Sequence, residues 1–224
     1  MLEIRGLDKR YGPHRVLTEV SFDVAPARLT GFVGRNGAGK TTTMRIILGV
    51  LDADTGSVSL DGRELRIEDR KHFGYMPEER GLYPKMRLEE QLVYFARLHG
   101  LDAATARENA RELLARLELQ ERADDSIEKL SLGNQQRAQI AAALVHDPKV
   151  LVLDEPFSGL DPLEVEAVLD VLKERAARGV PPPARHRRTA LRRPGDHRRR
   201  PDPCRRTAQR AAGATRDPAL RTGH

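Results

Sequence analysis

The chain has 224 residues, enough to bury a sizeable core. Its single cysteine, Cys204, excludes a disulfide framework and suits a cytosolic protein. No run reaches the roughly 18 consecutive apolar residues of a membrane span, and no secretory pattern opens the sequence, so neither is expected.

Residues 1 to 78 read as strands and turns, with Val58 and Leu60 alternating in Gly56–Gly62. Leu29-Thr30-Gly31-Phe32-Val33 predicts a short strand. It leads into Gly34-Arg35-Asn36-Gly37-Ala38-Gly39-Lys40-Thr41, which meets every fixed position of the pattern G-x-x-x-x-G-K-[ST]. In such a loop the backbone N–H groups point at a nucleotide's phosphates, and glycines allow the tight turn and the close approach. Lys40 reaches the β- and γ-phosphates, the Thr41 hydroxyl sits on Mg²⁺, and Thr42 completes the cradle. Met44, Ile47, Leu48 and Leu51 then recur at helical spacing, so the loop opens a helix whose dipole also favours an anion.

Residues 80 to 130 read as helices. Leu88, Leu92 and Phe95 share one face, as do Ala106, Ala110, Leu113, Leu114 and Leu117, and both stripes are read as packing. Ser131, in Leu130-Ser131-Leu132-Gly133-Asn134-Gln135-Gln136-Arg137, is a candidate N-cap, and Gly133 keeps the helix start open to an anion. Val150-Leu151-Val152-Leu153 is an apolar run expected to be buried on both faces of a parallel sheet. It ends in Asp154-Glu155, where open α/β sheets bind ligands. Asp154 is assigned to Mg²⁺ through water, and Glu155 to orienting or deprotonating the attacking water. Asp161 and Glu164 form a capping box with Pro162 at the first helical position. Val165, Val168, Leu169 and Leu172 line that helix's buried face, and Gly179 is its expected stop.

Taken in this order, the motifs of residues 1 to 180 resemble the ATP-binding cassette (ABC) family. The resemblance implies an α/β fold: a P-loop NTPase of the ABC type with an inserted helical subdomain at about 80–130. The family's signature begins Leu-Ser-Gly-Gly, whereas this chain has Leu132 in third place and keeps Ser131 and Gly133. Tyr11, in Lys9-Arg10-Tyr11-Gly12, matches the aromatic that stacks on adenine, a flat π-face. Phe73 to Arg80 matches the loop coupling the ATPase core to the helical subdomain. There Glu78 replaces the usual Gln; a carboxylate only accepts hydrogen bonds, but it can still hold Mg²⁺ or water. Ser158-Gly159-Leu160-Asp161 matches the loop that crosses to a partner subunit.

The resemblance further implies ATP and Mg²⁺ as cofactors and a homodimer in which Ser131 and Gly133 serve the opposite subunit's nucleotide. A separate transmembrane permease subunit and a place on the cytoplasmic face of the membrane follow, and nucleic acid is not an expected partner. The stretch Glu78–Met86 together with Leu130–Arg137 is similar to the bacterial drug- or sodium-exporting branch. The expected function is therefore the ATP-hydrolysing motor subunit of an exporter. The alternative is a nucleotide-binding protein without turnover, regulatory or inactive.

After Val180 the pattern ends. Pro181-Pro182-Pro183 removes three ladder donors where another buried strand is expected. Residues 181–224 hold 13 Arg and 3 Asp, a net +10, against +6 for the whole chain, which leaves −4 to residues 1–180. Leu191 and Leu220 are their only large aliphatics. Such a segment cannot bury enough apolar surface to offset its ordering entropy, so a disordered tail is expected behind a C-terminally incomplete domain. Three readings remain: an Arg-rich tract for nucleic acid or anionic membrane, a functionless extension, or a translated frameshift. The frameshift is favoured, because the pattern stops where the family needs its last core strands and a switch histidine. His186 lies near that histidine's spacing with no apolar strand before it, and is not assigned.

Overall fold

The computed structural model describes residues 1–32, 34, 37–79 and 81–178. The expectations placed on Val33, Arg35, Asn36, Arg80, Gly179, His186 and the 181–224 tail lie outside those residues.

Two hydrophobic cores organise the described part. The first is built on an antiparallel sheet. Strands β1 (Leu2–Tyr11) and β2 (His14–Val24) form a hairpin closed by the pair Tyr11–His14, and β3 (Thr55–Leu60) and β4 (Arg63–Glu64) extend it in the order β2-β1-β3-β4. Leu2 and Ile4 face the core on alternate positions. A register shift between Ile4 and Leu7 then changes the phase, so that Leu7 is buried on the same side. Helix α1 (Lys40–Ile47) covers the sheet with Ile46 and Ile47, and Val58 from β3 joins them. Met44, Leu48 and Leu51 pack on the edge of this core, but the helix ends at Ile47, before the apolar spacing does.

The second core is helical. It joins α2 (Leu88–Leu98), α3 (Ala103–Arg116), α4 (Leu132–Leu144) and α5 (Pro162–Arg178). The α3 stripe of Ala106, Ala110, Leu113 and Leu114 is buried as its spacing predicts, and Leu117 follows at the helix end. Asp102 caps that helix by accepting from the Ala104 and Thr105 N–H groups. In α2, Leu88, Leu92 and Ala96 are buried, and Phe95 is only partly covered. In α5 the buried residues are Val168, Val171 and Leu172, with Val165 and Leu169 half-buried. The face is therefore turned slightly from the one expected. The inserted helices do not form a separate core, because α4 and α5 share theirs.

Between the cores, β5 (Phe73–Met76) pairs in parallel with β6 (Val150–Leu153), from Phe73–Val150 to Met76–Leu153. Of β6 only Val152 is buried, not the whole run as expected, because among the described residues β6 hydrogen-bonds along one edge only. Over Leu29–Phe32, the described part of the strand expected at Leu29–Val33, no strand forms. No ladder partner reaches it among the described residues, and an extended segment without one is not a strand. The segment is anchored instead by Phe32, whose ring lies 5.3 Å from that of Phe22 on β2. No helix among the described residues is long and apolar enough to cross a membrane.

Candidate functional site

A cavity of about 310 Å³ opens where α1 begins and β6 ends. Its described lining is Val16, Gly37, Gly39, Lys40, Thr41, Thr42, Glu78, Asp154 and Glu155. Eight of these nine are residues the sequence singles out from three separate segments, and the fold brings the three together; Val16 is the addition.

The loop wall is set by backbone geometry. Gly37 and Gly39 both have φ of +82°, in the left-handed region that side chains disfavour. Gly39 caps α1 in that conformation, and a Cβ there would stand 2.4 Å from Leu17 Cδ2. The Gly39 carbonyl accepts from both the N–H and the hydroxyl of buried Thr43 at 2.9 Å, which fixes the turn into the helix. Lys40 Nζ donates to the Gly34 carbonyl at 3.0 Å and lies 3.9 Å from Glu155 Oε1. The ammonium thus lies over the loop and faces the carboxylate wall.

The carboxylate wall stands at the C-terminal end of β6, which carries Asp154 past the strand; its N–H still bonds the Met76 carbonyl of β5 at 2.9 Å. Asp154 is 2 % exposed, and its Oδ2 accepts from Thr41 Oγ1 at 2.8 Å. Two hard oxygen donors held this close suit a small divalent cation, which keeps several of its waters and takes one or two protein oxygens. Glu155 follows with φ of +49°, unusual for a residue with a side chain. Strain of this kind survives where surrounding bonds over-determine it. Here the Glu155 carbonyl accepts from Gln136 Nε2 at 3.1 Å and from the Ser158 N–H at 3.2 Å. Burial, and next the Asp154 charge, raise the pKa of Tyr75, whose β5 position places it beside this wall.

Helix α4 supplies the supports that sequence reasoning missed. Gln136, Arg137 and Gln139 are buried polar residues of this helix. Gln136 holds Glu155 as described, and Gln139 Nε2 donates to the Pro77 carbonyl at 2.8 Å and to the Glu79 carbonyl at 3.2 Å, which brackets Glu78. The signal was present in Gln135-Gln136-Arg137-Ala138-Gln139, a polar run whose length exceeds one exposed helix face. What it could not show is which faces the fold covers.

Ser131 caps α4 as expected, accepting from the Asn134 N–H at 3.2 Å. Ser131 and Gly133 do not line this chain's own cavity. Leu132 between them is 61 % exposed. Tyr11 ends β1, is 50 % exposed and has Lys9 Nζ 5.9 Å from its ring centre; it too lies off the cavity lining.

Comparison with known proteins agrees with this geometry. The family described as ABC transporter matches residues 17–158. The uncharacterized ABC transporter ATP-binding protein YhaQ of Bacillus subtilis is 42% identical over 172 residues, covering 77% of this chain and 58% of that protein. The Nod factor export ATP-binding protein I of Burkholderia pseudomallei is 39% identical over 181 residues, 80% of this chain and 60% of that protein. A solved structure of an ATP binding subunit of an ABC transporter superposes with a TM-score of 0.72 at 34% identity, covering 80% of this chain and 75% of that one. The chain thus spans less than two thirds of the length of these curated relatives.

Proposed function

The chain belongs to the ABC transporter ATP-binding family, and from that premise we propose that it is the ATP-hydrolysing motor subunit of an exporter. It would work as a head-to-tail homodimer, at the cytoplasmic face of the membrane, against a separate transmembrane subunit. The observation that carries the reading is the meeting of Lys40, Thr41, Glu78, Asp154 and Glu155 around one cavity. The export role draws support from relatives whose names state export or drug resistance.

In this reading the N–H groups of the Gly34–Thr42 loop and Lys40 hold the phosphates of ATP, with Arg35 and Asn36 assigned to the same loop from sequence. Thr41 and Asp154 would hold Mg²⁺, which when bound would neutralise charge on the phosphates. Glu155 orients the attacking water and accepts its proton, and Glu78 bounds the same space from the coupling loop. Ser131 and Gly133 face the second subunit's nucleotide, which accounts for their place away from this chain's own cavity, and Tyr11 offers the platform for adenine.

Two substitutions test the reading. Lys40→Ala should abolish ATP binding, measured by titration with a fluorescent ATP analogue. Glu155→Gln should keep binding, reduce turnover by about 100-fold or more, and leave an ATP-bound dimer visible by light scattering. Unchanged ATP affinity in Lys40→Ala would overturn the site. ATP binding by the unaltered chain with no turnover favours the regulatory alternative.

A further inference from the structure

We propose that Glu164 is a positioning residue that locks the start of α4 to the Ser158–Asp161 loop, so that both partner-facing segments move as one body. The inference rests on the head-to-tail reading above for its functional consequence, while the coupling itself is read from the geometry of a single chain.

A continuous polar chain joins the two segments. Ser131 Oγ accepts from the Asn134 N–H at 3.2 Å, and Asn134 Oδ1 accepts from Arg137 Nη2 at 2.6 Å. The same Nη2 lies 3.2 Å from Glu164 Oε1. Glu164 Oε2 accepts from the Asp161 N–H at 3.1 Å, and Asp161 Oδ1 accepts in return from the Leu163 and Glu164 N–H groups at 2.9 Å. The capping box expected at the start of α5 is therefore present, but its glutamate also reaches sideways to another helix.

Two details make Glu164 more than a cap. The Arg137 side chain is 9 % exposed, and its two carboxylate partners differ: Glu118 is 72 % exposed and Glu164 is 23 % exposed. Solvent screens the first pair, so the buried guanidinium depends chiefly on Glu164 for its counter-charge. Pulling the Ser158–Asp161 loop away with Glu164 would leave that charge only the screened Glu118 carboxylate and the Leu117 carbonyl and Asn134 amide oxygens. Second, a Cβ built on Gly133 would stand 3.0 Å from Glu164 Oε2 and 3.1 Å from Oε1. A side chain here would crowd the carboxylate, so glycine lets Glu164 lie close against the start of α4, a reason separate from keeping the helix start open to an anion.

The test uses the full chain in two experiments. In the first, hydrogen exchange is followed on the monomer without nucleotide. Glu164→Ala should raise exchange together in residues 131–137 and 157–161, and Gly133→Ala, which crowds the same carboxylate from the α4 side while leaving the residue in place, should do so to a smaller extent. Change confined to residues 161–165 means that Glu164 only caps α5, and overturns the inference. In the second, the substitutions are placed in the Glu155→Gln chain and dimerisation is followed by light scattering as ATP and Mg²⁺ are added. Glu164→Ala should weaken the dimer about tenfold or more while the monomer's ATP affinity stays within about twofold. Glu164→Gln keeps the acceptor for the Asp161 N–H but not the charge, and should fall between. An unweakened dimer overturns the positioning role. If the Glu155→Gln parent itself stays monomeric, the head-to-tail reading fails, and the exchange experiment still decides whether Glu164 couples the segments.

Discussion

On one side of the cavity, Gly37, Gly39, Lys40, Thr41 and Thr42 are placed by backbone conformation within a single turn. On the other, Glu78, Asp154 and Glu155 come from two segments far apart in sequence, and Gln136 and Gln139 reach over from α4 to hold the Glu155 carbonyl and the carbonyls flanking Glu78. The first wall forms from that short sequence as it leads into α1, even without a strand over Leu29–Phe32 before it. The second exists only if α4 is seated correctly against β5 and β6. A local wall is robust to changes elsewhere; an assembled wall inherits every error in the packing behind it.

The sharpest way to break the first wall is Gly39→Ala. The new Cβ meets Leu17 at 2.4 Å and must adopt a φ of +82°. Left-handed backbone costs roughly 1–2 kcal/mol and overpacking about 1–3 more. The expected loss is about 2–5 kcal/mol in urea unfolding, with ATP binding lost as well. A variant that binds ATP normally would show that the loop tolerates a different backbone.

The seating of α4 can be loosened from its far end by pH. His146, just beyond the helix, has its ring 3.6 Å from that of His99 and its Nε2 3.1 Å from the Phe73 carbonyl of β5. Burial foremost, then the neighbouring His99, lowers its pKa to about 4; the Phe73 carbonyl and Asp147 oppose this, and His72 adds to it. An unfolded histidine titrates near ~6.5. As pH falls, the unfolded chain therefore takes up the proton first. The folded state loses stability from about pH 6.5 down to about 4, and the loss levels off below that. About 2 kcal/mol should disappear between pH 7 and pH 5, measured by urea unfolding, and His146→Gln should remove most of that dependence. An equally steep slope in the variant would assign it to other groups.

A narrower cut at the second wall is Gln139→Ala. It removes two hydrogen bonds to the carbonyls flanking Glu78 and should cost about 1–3 kcal/mol. Because the loop wall is untouched, ATP affinity should hold while kcat falls. A rise in KM with unchanged kcat would mean that Glu78 contributes to binding alone. The smallest effect is expected from Asp102→Ala, which uncaps α3 away from both walls. About 1 kcal/mol of stability should be lost, with ATP affinity and turnover unaffected.

The sequence by itself determined whatever a few adjacent residues can dictate. The phosphate loop was legible because Gly37 and Gly39 are needed for backbone angles that few other residues accept. The Ser131 cap and the Asp161–Glu164 box were legible because a helix end satisfies its N–H groups from residues within one turn. The α3 stripe was legible because its spacing is that of the helix. Tertiary structure alone decided the rest. Whether Leu29–Phe32 becomes a strand depends on a neighbour to bond with, and none of the described residues supplies one. Gln136, Arg137 and Gln139 look like solvated residues until the fold shows which carbonyls and carboxylates lie opposite them. Glu164 reads as a cap until Gly133 is found against it. Local rules are carried by covalent geometry and by hydrogen bonds within a turn. The partners of a buried polar side chain are fixed only when distant segments pack, because desolvation then makes each unpaired group costly.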